Sequence, residues 1–115
     1  MSRSDEQRLR DILERINAIT DAEELLVAAE SSADVKQGRT AFDAILYDLL
    51  VIGEAVKALP NDTIGRHPDI AWSDIAKLRD LLAHVYFKVR ADVIRNTINA
   101  PLAELRAACK AELGE

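Results

Sequence analysis

The sequence is poor in cysteine, in aromatic residues and in long apolar runs. One cysteine among 115 residues excludes an internal disulfide and any metal site built from clustered cysteines, and it fits a reducing compartment. We expect Cys109 to be a small packing residue. Aromatic residues make up only 4% of the chain, so aliphatic side chains must dominate the core. No apolar run reaches the roughly 20 residues that cross a bilayer, and Met1–Glu6 is too acidic and polar for a signal peptide. We therefore expect a cytoplasmic protein with no membrane partner.

The sequence also lacks the usual motifs for phosphate and metal binding. It has no glycine-rich phosphate loop, no paired-carboxylate metal site and no histidine–cysteine cluster. These absences argue against a nucleotidyltransferase, a kinase or a metallohydrolase, and we expect neither a cofactor nor a metal ion.

The net charge of −5 argues against a general nucleic-acid binder, because phosphate contacts need lysine and arginine. The charge is unevenly distributed: residues 1–62 carry 7 basic and 13 acidic groups, whereas residues 63–115 carry 8 and 7. Any RNA site is therefore expected to be a local basic patch on an acidic body, and an ordinary solvated helical face is the alternative. The basic residues in question are Arg66, Lys77, Arg79, Lys88, Arg90 and Arg95.

The spacing of apolar residues predicts an all-α protein. We expect a first helix capped by Ser4 and ending near Ile19, then a short extra helix capped by Asp21, and a loop at residues 31–34. A second long helix is expected from about Arg39, and Leu50 belongs to the residues that widen its apolar face. The seam of that helix repeats at three- and four-residue steps: Phe42, Ile45, Leu49, Ile52, Val56 and Leu59.

Two further helices complete the predicted fold. Pro60 ends the second helix, and a loop leads to Trp72, which is expected to close one end of the bundle. The next helix is predicted from Trp72 to about Lys88. The last is predicted with Asp92 as its cap and with a kink at Pro101. These elements predict one domain over residues 1–115, an antiparallel four-helix bundle with a short extra helix.

The helix from Trp72 to Lys88 separates its side chains into distinct faces. His84 lies about 130° from the middle of the main apolar stripe on a regular helix, so it should not be a packed core histidine. Asp80 stands one turn before His84, where its carboxylate can hold the ring and favour the protonated form. A second apolar strip of Ala76, Ala83 and Phe87 is expected to contact another subunit. The main stripe consists of Ile75, Leu78, Leu82, Val85 and Val89.

This segment resembles a known family. Arg79, Asp80, His84 and Tyr86 match the R-x4-H-x-Y signature of the HepT-like proteins, toxins of the HEPN superfamily that pair with a minimal nucleotidyltransferase antitoxin. Residues 52–60 and 67–72 also resemble the end of that family's second helix and its loop into the motif helix. The resemblance implies an HEPN-like bundle, a homodimer or higher assembly with apposed motifs, and metal-independent cleavage of RNA. It also implies that the partner nucleotidyltransferase silences the protein by transferring AMP to the motif tyrosine.

Residue chemistry agrees with the catalytic roles that the resemblance implies. A histidine that titrates near neutrality can move the protons in RNA cleavage, and an arginine can bind the phosphate. His84 and Arg79 are therefore the candidate catalytic residues, with Asp80 supporting them in place of the family's commoner asparagine. On a straight helix the two are roughly 140° apart, which favours a cleft shared by two copies. Tyr86 is the candidate AMP acceptor; without the resemblance it would be an interfacial packing residue.

Three interpretations remain open at this point. Glu54 is either an acceptor for a motif side chain or plain surface. His67, before Pro68, is expected to be structural or solvated. The alternative to a ribonuclease is a non-catalytic helical module that binds a nucleotidyltransferase or a nucleotide through the same helix.

Overall fold

The computed structural model describes residues 2–85 and 90–115, and this part of the chain forms six helices and no strand. The prediction of an all-α four-helix bundle with a short extra helix is confirmed. The extra helix is α3 instead of residues 21–29, and α4 and α5 together occupy the place of the predicted motif helix. The helices are α1 (Arg3–Ser32), α2 (Val35–Lys57), α3 (Asn61–Gly65), α4 (Trp72–Ala76), α5 (Leu78–Val85) and α6 (Ala91–Leu113).

The core is aliphatic and is organised around α1 and α2. α1 packs against α2 and α6, and α2 also packs against α4 and α5. Burying each large aliphatic side chain stabilises the fold by about 1.5–3 kcal/mol. Cys109 is buried as expected, and burial is the main reason that the pKa of its thiol rises to about 12. The predicted seam of the second helix is confirmed by burial, and its last member lies two residues past the end of α2: Phe42, Ile45, Leu49, Ile52, Val56 and Leu59.

The predicted break near residue 20 is wrong, since α1 is one helix of 30 residues. Asp21 is an exposed residue inside it and caps nothing. The buried face of α1 continues across this position, with Ile16 and Ile19 before Asp21 and Leu26 and Ala29 after it. Packing therefore outweighs the capping preference of aspartate. The N-cap is Ser2, not Ser4, and its hydroxyl accepts a hydrogen bond from the Asp5 N–H at 3.2 Å.

The turn between α1 and α2 is shorter than predicted. Ser31 and Ser32 belong to α1. Ala33 ends this helix in the left-handed conformation, with φ of 55°. Asp34 then caps α2 by accepting a hydrogen bond from the Gln37 N–H at 3.0 Å. As a result α2 begins at Val35 instead of near Arg39.

The start of α6 also differs from the prediction. Arg90 is the N-cap residue and makes no side-chain cap, so Asp92 lies in the first turn. The Ala91 N–H, at the start of the helix, donates to Glu30 Oε1 on α1, at 2.7 Å. A distant carboxylate therefore takes the role that we assigned to Asp92. α6 continues through Pro101.

A glycine brings α2 against α4. A Cβ added at Gly53 would lie 3.0 Å from the carbonyl oxygen of Ala76, closer than ordinary van der Waals contact. Gly53 and Ile75 are both buried at this contact between the helices. The absence of a side chain at residue 53 thus sets how closely the start of the motif region approaches α2.

A charged clamp fixes the loop that leads into α4. Arg66 Nε lies 3.2 and 3.1 Å from the two carboxylate oxygens of Glu112, and His67 Nε2 lies 2.8 Å from Oε2. Trp72 is packed against the core, and its indole N–H donates to the His67 carbonyl at 3.0 Å. His67 is therefore structural, as predicted, and Trp72 closes this end of the bundle. The Arg66 guanidinium, followed by His67, lowers the pKa of Glu112 to about 2.

We expect Gly53→Ala to lower the free energy of unfolding by about 1–3 kcal/mol, because the added methyl group overpacks the contact with a backbone carbonyl. Gly65→Ala is the matched control, since a Cβ there meets nothing within 4 Å. Urea unfolding of both variants checks this. Equal stability of the two would show that α4 does not depend on the close approach at Gly53.

We expect Glu112→Gln to lower the free energy of unfolding at pH 7 by about 1–3 kcal/mol, because charge-assisted hydrogen bonds to Arg66 and His67 weaken. The folded pKa of Glu112, about 2, lies below the ordinary 4.5. The contribution of its carboxylate is therefore complete above about pH 4.5 and is lost as the pH falls toward 2. Thermal melts of the parent and the variant between pH 7 and 3 should show that the difference between their melting temperatures becomes smaller as the pH falls. A difference that stays constant or increases would contradict the role of the clamp.

Candidate functional site

α5 presents one buried face and one exposed face. Leu78 and Leu82 are buried, as is Ile75 on α4, so these members of the predicted apolar stripe are confirmed. His84 is exposed, which confirms that it is not a core histidine. The Val85 side chain and Val89, also assigned to that stripe, lie outside the described residues.

Arg79 is paired with its neighbour in sequence. Arg79 Nη1 lies 3.3 Å from Asp80 Oδ1, and the two side chains are 43% and 68% exposed. In the described part of the chain no hydrogen bond or ion pair joins Asp80 to His84, so the predicted contact between them is not formed. An exposed pair of this kind contributes at most about 1 kcal/mol. Arg79 can therefore exchange Asp80 for a phosphate group at little cost.

The two candidate catalytic side chains diverge on α5. Five residues along an α-helix turn the side-chain direction by about 140° and advance it by about 7.5 Å. Arg79 and His84 both lie within the regular helix Leu78–Val85. Within one copy of α5, both side chains can therefore contact the same phosphate only if the arginine side chain bends round the helix.

The predicted second apolar strip is partly wrong. Ala76 is half-buried, packs against the core and faces Gly53 with its carbonyl group. The helix is interrupted at Lys77, whose φ and ψ are −104° and 0°, so Ala76 does not continue the line of α5. Ala83 is exposed as expected, and Phe87 lies outside the described residues.

Two exposed leucines on α2 and α5 were not predicted. Leu81 on α5 is 44% exposed and Leu50 on α2 is 45% exposed. We expected Leu50 to widen the buried face of α2, but its side chain remains in solvent. α5 carries Arg79 and His84 and packs against α2, so exposed apolar side chains lie both on the motif helix and on its neighbour.

The predicted basic patch is divided and largely neutralised. Four of its six members are each paired with a carboxylate: Arg66 with Glu112, Arg79 with Asp80, Arg90 with Asp92 and Arg95 with Glu23. Along α6, Glu112 lies about 25 Å from Arg95. Arg66 is bound to Glu112 and therefore lies at the end of the bundle opposite to Arg95. No local sequence pattern could predict this pairing, because Arg66 and Glu112 are 46 residues apart.

The remaining predicted positions have simpler outcomes. Glu54 is exposed, with Oε1 3.5 Å from Lys57 Nζ, which fits the plain-surface interpretation. Tyr86 and Lys88 lie outside the described residues. Within residues 2–85 and 90–115, no three histidine, cysteine, aspartate or glutamate side chains are placed to hold a metal ion. Across the same ranges no helix is long and apolar enough to span a membrane.

Comparison with known proteins places this sequence in a family. The family model described as "Ribonuclease HepT-like" matches residues 8–112. A protein of Thermococcus cleftensis named "Probable ribonuclease HepT" is 36% identical over 106 residues, which cover 92% of this chain and 93% of that protein. A putative RNase of Methanocaldococcus jannaschii is 40% identical over 86 residues, 75% of this chain and 68% of its own length. No solved structure matches significantly. The match over nearly the whole chain shows that this protein belongs to the HepT-like ribonuclease family.

Proposed function

We propose that this protein is a metal-independent endoribonuclease whose catalytic residues are Arg79 and His84. The observation that carries the proposal is the placement of an exposed imidazole and a half-exposed guanidinium on the same short helix. Both lie off the core stripe, so the fold does not need them for packing. Membership of the HepT-like ribonuclease family and the names of the relatives support RNA as the substrate.

The chemistry requires a base, an acid and one fixed cation. The ribose 2′-oxygen attacks the adjacent phosphorus while a base removes the 2′-OH proton. The bond from phosphorus to the 5′-oxygen then breaks, and an acid protonates the departing oxygen, which leaves a 2′,3′-cyclic phosphate and a 5′-OH. His84 takes one of these two proton roles and water takes the other, while Arg79 neutralises the crowded phosphate oxygens with its forked N–H groups.

The divergence of Arg79 and His84 on α5 supports a site built by two copies. In a two-fold dimer, Arg79 of one copy meets His84 of the other, and the reverse pair forms a second site. Exposed apolar side chains on α2 and α5 are suited to this contact: Leu50, Leu81 and Ala83. Covering them would remove apolar surface from water and enclose the cleft.

Control of the activity is proposed to be covalent. In this account the protein is the toxin of a toxin–antitoxin pair in the cytoplasm, and a nucleotidyltransferase partner transfers AMP to Tyr86. Tyr86 follows His84 by two residues and Arg79 by seven. A bulky adenylyl group with a phosphodiester charge at this position would compete with RNA for the cleft.

The alternative is a non-catalytic module that binds the nucleotidyltransferase or a nucleotide through α5. The observation in its favour is the electrostatics: the chain has a net charge of −5, and most of the basic residues near the motif already have carboxylate partners. RNA cleavage by the purified protein distinguishes the two functions.

We expect His84→Ala and Arg79→Ala each to reduce RNA cleavage at least about 100-fold, since each removes a proton carrier or a phosphate-binding cation. Neither change opens a cavity, so stability should stay within about 0.5 kcal/mol of the parent. Cleavage of total cellular RNA by purified protein, together with thermal melting, measures both effects. Arg39→Ala is the control, because Arg39 is an exposed arginine of α2 paired only weakly with Asp43 at 3.7 Å. Full activity in either motif variant would remove that residue from the mechanism.

We expect protein produced together with its nucleotidyltransferase to carry AMP on a peptide that contains Tyr86, as measured by mass spectrometry. Tyr86→Phe should escape both modification and silencing, because only the acceptor hydroxyl is lost. Tyr47→Phe is the matched control: Tyr47 is the other tyrosine of the chain and is 57% exposed. If Tyr86→Phe is silenced as well as the parent protein, inhibition is by binding alone.

A further inference from the structure

A groove runs between α1 and α6, on helices that do not include the Arg79–His84 motif. Its volume is about 450 Å³, within the range of roughly 300–1,000 Å³ that is typical of small-ligand sites. Ile19 and Leu102 form an apolar floor, and Val27 lies beside them on α1. The polar lining includes Glu23 on α1 and Arg95 and Asn99 on α6.

Glu23 is the unusual residue of this groove. Its side chain is only 9% exposed, and its Oε2 atom is out of solvent and accepts no hydrogen bond from the described residues. Burial raises the pKa of Glu23, while Asn99 and Arg95 act in the opposite direction and only partly offset it. A buried carboxylate oxygen without a donor is destabilising, so a ligand that supplies N–H groups would relieve a cost already present in the fold.

Arg95 is held only loosely at this carboxylate. Its Nε atom lies 3.5 Å from Glu23 Oε2, and its side chain is 52% exposed. A separation of 3.5 Å leaves an ion pair without a good hydrogen bond. The guanidinium can therefore turn toward a ligand and keep its forked N–H groups for a carboxylate.

We propose that the groove between α1 and α6 binds a free α-amino acid with an aliphatic side chain. The ammonium group of the amino acid donates to Glu23 Oε2 and takes the place of Arg95. Arg95 turns outward and binds the carboxylate of the same molecule. The aliphatic side chain lies on Ile19 and Leu102. Binding thus exchanges one poor ion pair for two charge-assisted contacts and covers apolar surface.

The spacing and the charge balance favour a zwitterion over other ligands. Glu23 and Arg95 are neighbours, and an α-amino acid places its two charges on atoms attached to one carbon. RNA fits the groove poorly, because Glu23 and Glu24 both line it and repel phosphate groups. A simple amine would face Arg95 and Arg106, which also line the groove.

The test is an NMR titration of the full chain with L-leucine, followed through the backbone amides. We expect saturable shifts at Glu23, Arg95 and Asn99. Isoamylamine lacks the carboxylate, 4-methylpentanoate lacks the amine and glycine lacks the side chain. Each of these should bind at least about tenfold more weakly than L-leucine, because each loses one of the three contacts.

Two variants make the assignment specific. Glu23→Gln and Arg95→Gln should each weaken L-leucine binding at least about tenfold, whereas Glu14→Gln, on the exposed part of α1, should leave it unchanged. If Glu23→Gln fails to fold, the exposed Arg95→Gln variant decides the question.

Several results would overturn the proposal. They are the absence of saturable binding of leucine, isoleucine or valine up to about 10 mM, equal binding of the amine or the acid alone, and shifts confined to α5. Unchanged binding in a folded groove variant would do the same. The readout is binding and not RNA cleavage, so it stands apart from the outcome for Arg79 and His84.

Discussion

The close approach at Gly53 is the contact on which the position of the motif depends. α2 is the shared neighbour of α1, α4 and α5, and it can draw α4 close only because residue 53 has no side chain facing the Ala76 carbonyl. The helix is then interrupted at Lys77, and α5 begins with its buried face against α2. Packing on one side of α5 thereby determines which residues remain in solvent on the other side, and His84 is one of them.

Periodicity predicted most of the fold because burial follows the helical repeat. The α2 seam, the buried Leu78 and Leu82 and the exposed His84 all follow from it. Capping preferences were less reliable: Asp21 is a good cap in isolation, but the continuous apolar face of α1 keeps the chain helical there. Contacts between residues distant in sequence had no local signal. The contact of Glu30 with the start of α6 and that of Glu112 with Arg66 could not be found from spacing, and the second of them removes Arg66 from the basic residues that remain available.

Pairing with carboxylates limits which cations of this acidic chain are free to serve the RNA site proposed above. Glu112 holds Arg66 at the far end of the bundle, where it orders the loop before α4. Arg79, by contrast, has only an exposed partner in Asp80. The loosely held cation and the exposed imidazole thus lie on the same helix, but they point in different directions. In this account a second copy of the chain supplies what one α5 cannot.

Mixing two inactive variants tests this central claim most directly. If the site is shared, a dimer of one Arg79→Ala subunit and one His84→Ala subunit contains one site with both native residues and one site with neither. Subunit exchange between the two purified variants should then restore about a quarter of the parent RNA cleavage, since about half of the dimers are mixed and each has one working site. Native mass spectrometry can establish that the mixed dimers have formed. Mixed dimers without cleavage, alongside an active parent protein, would contradict a site built by two copies.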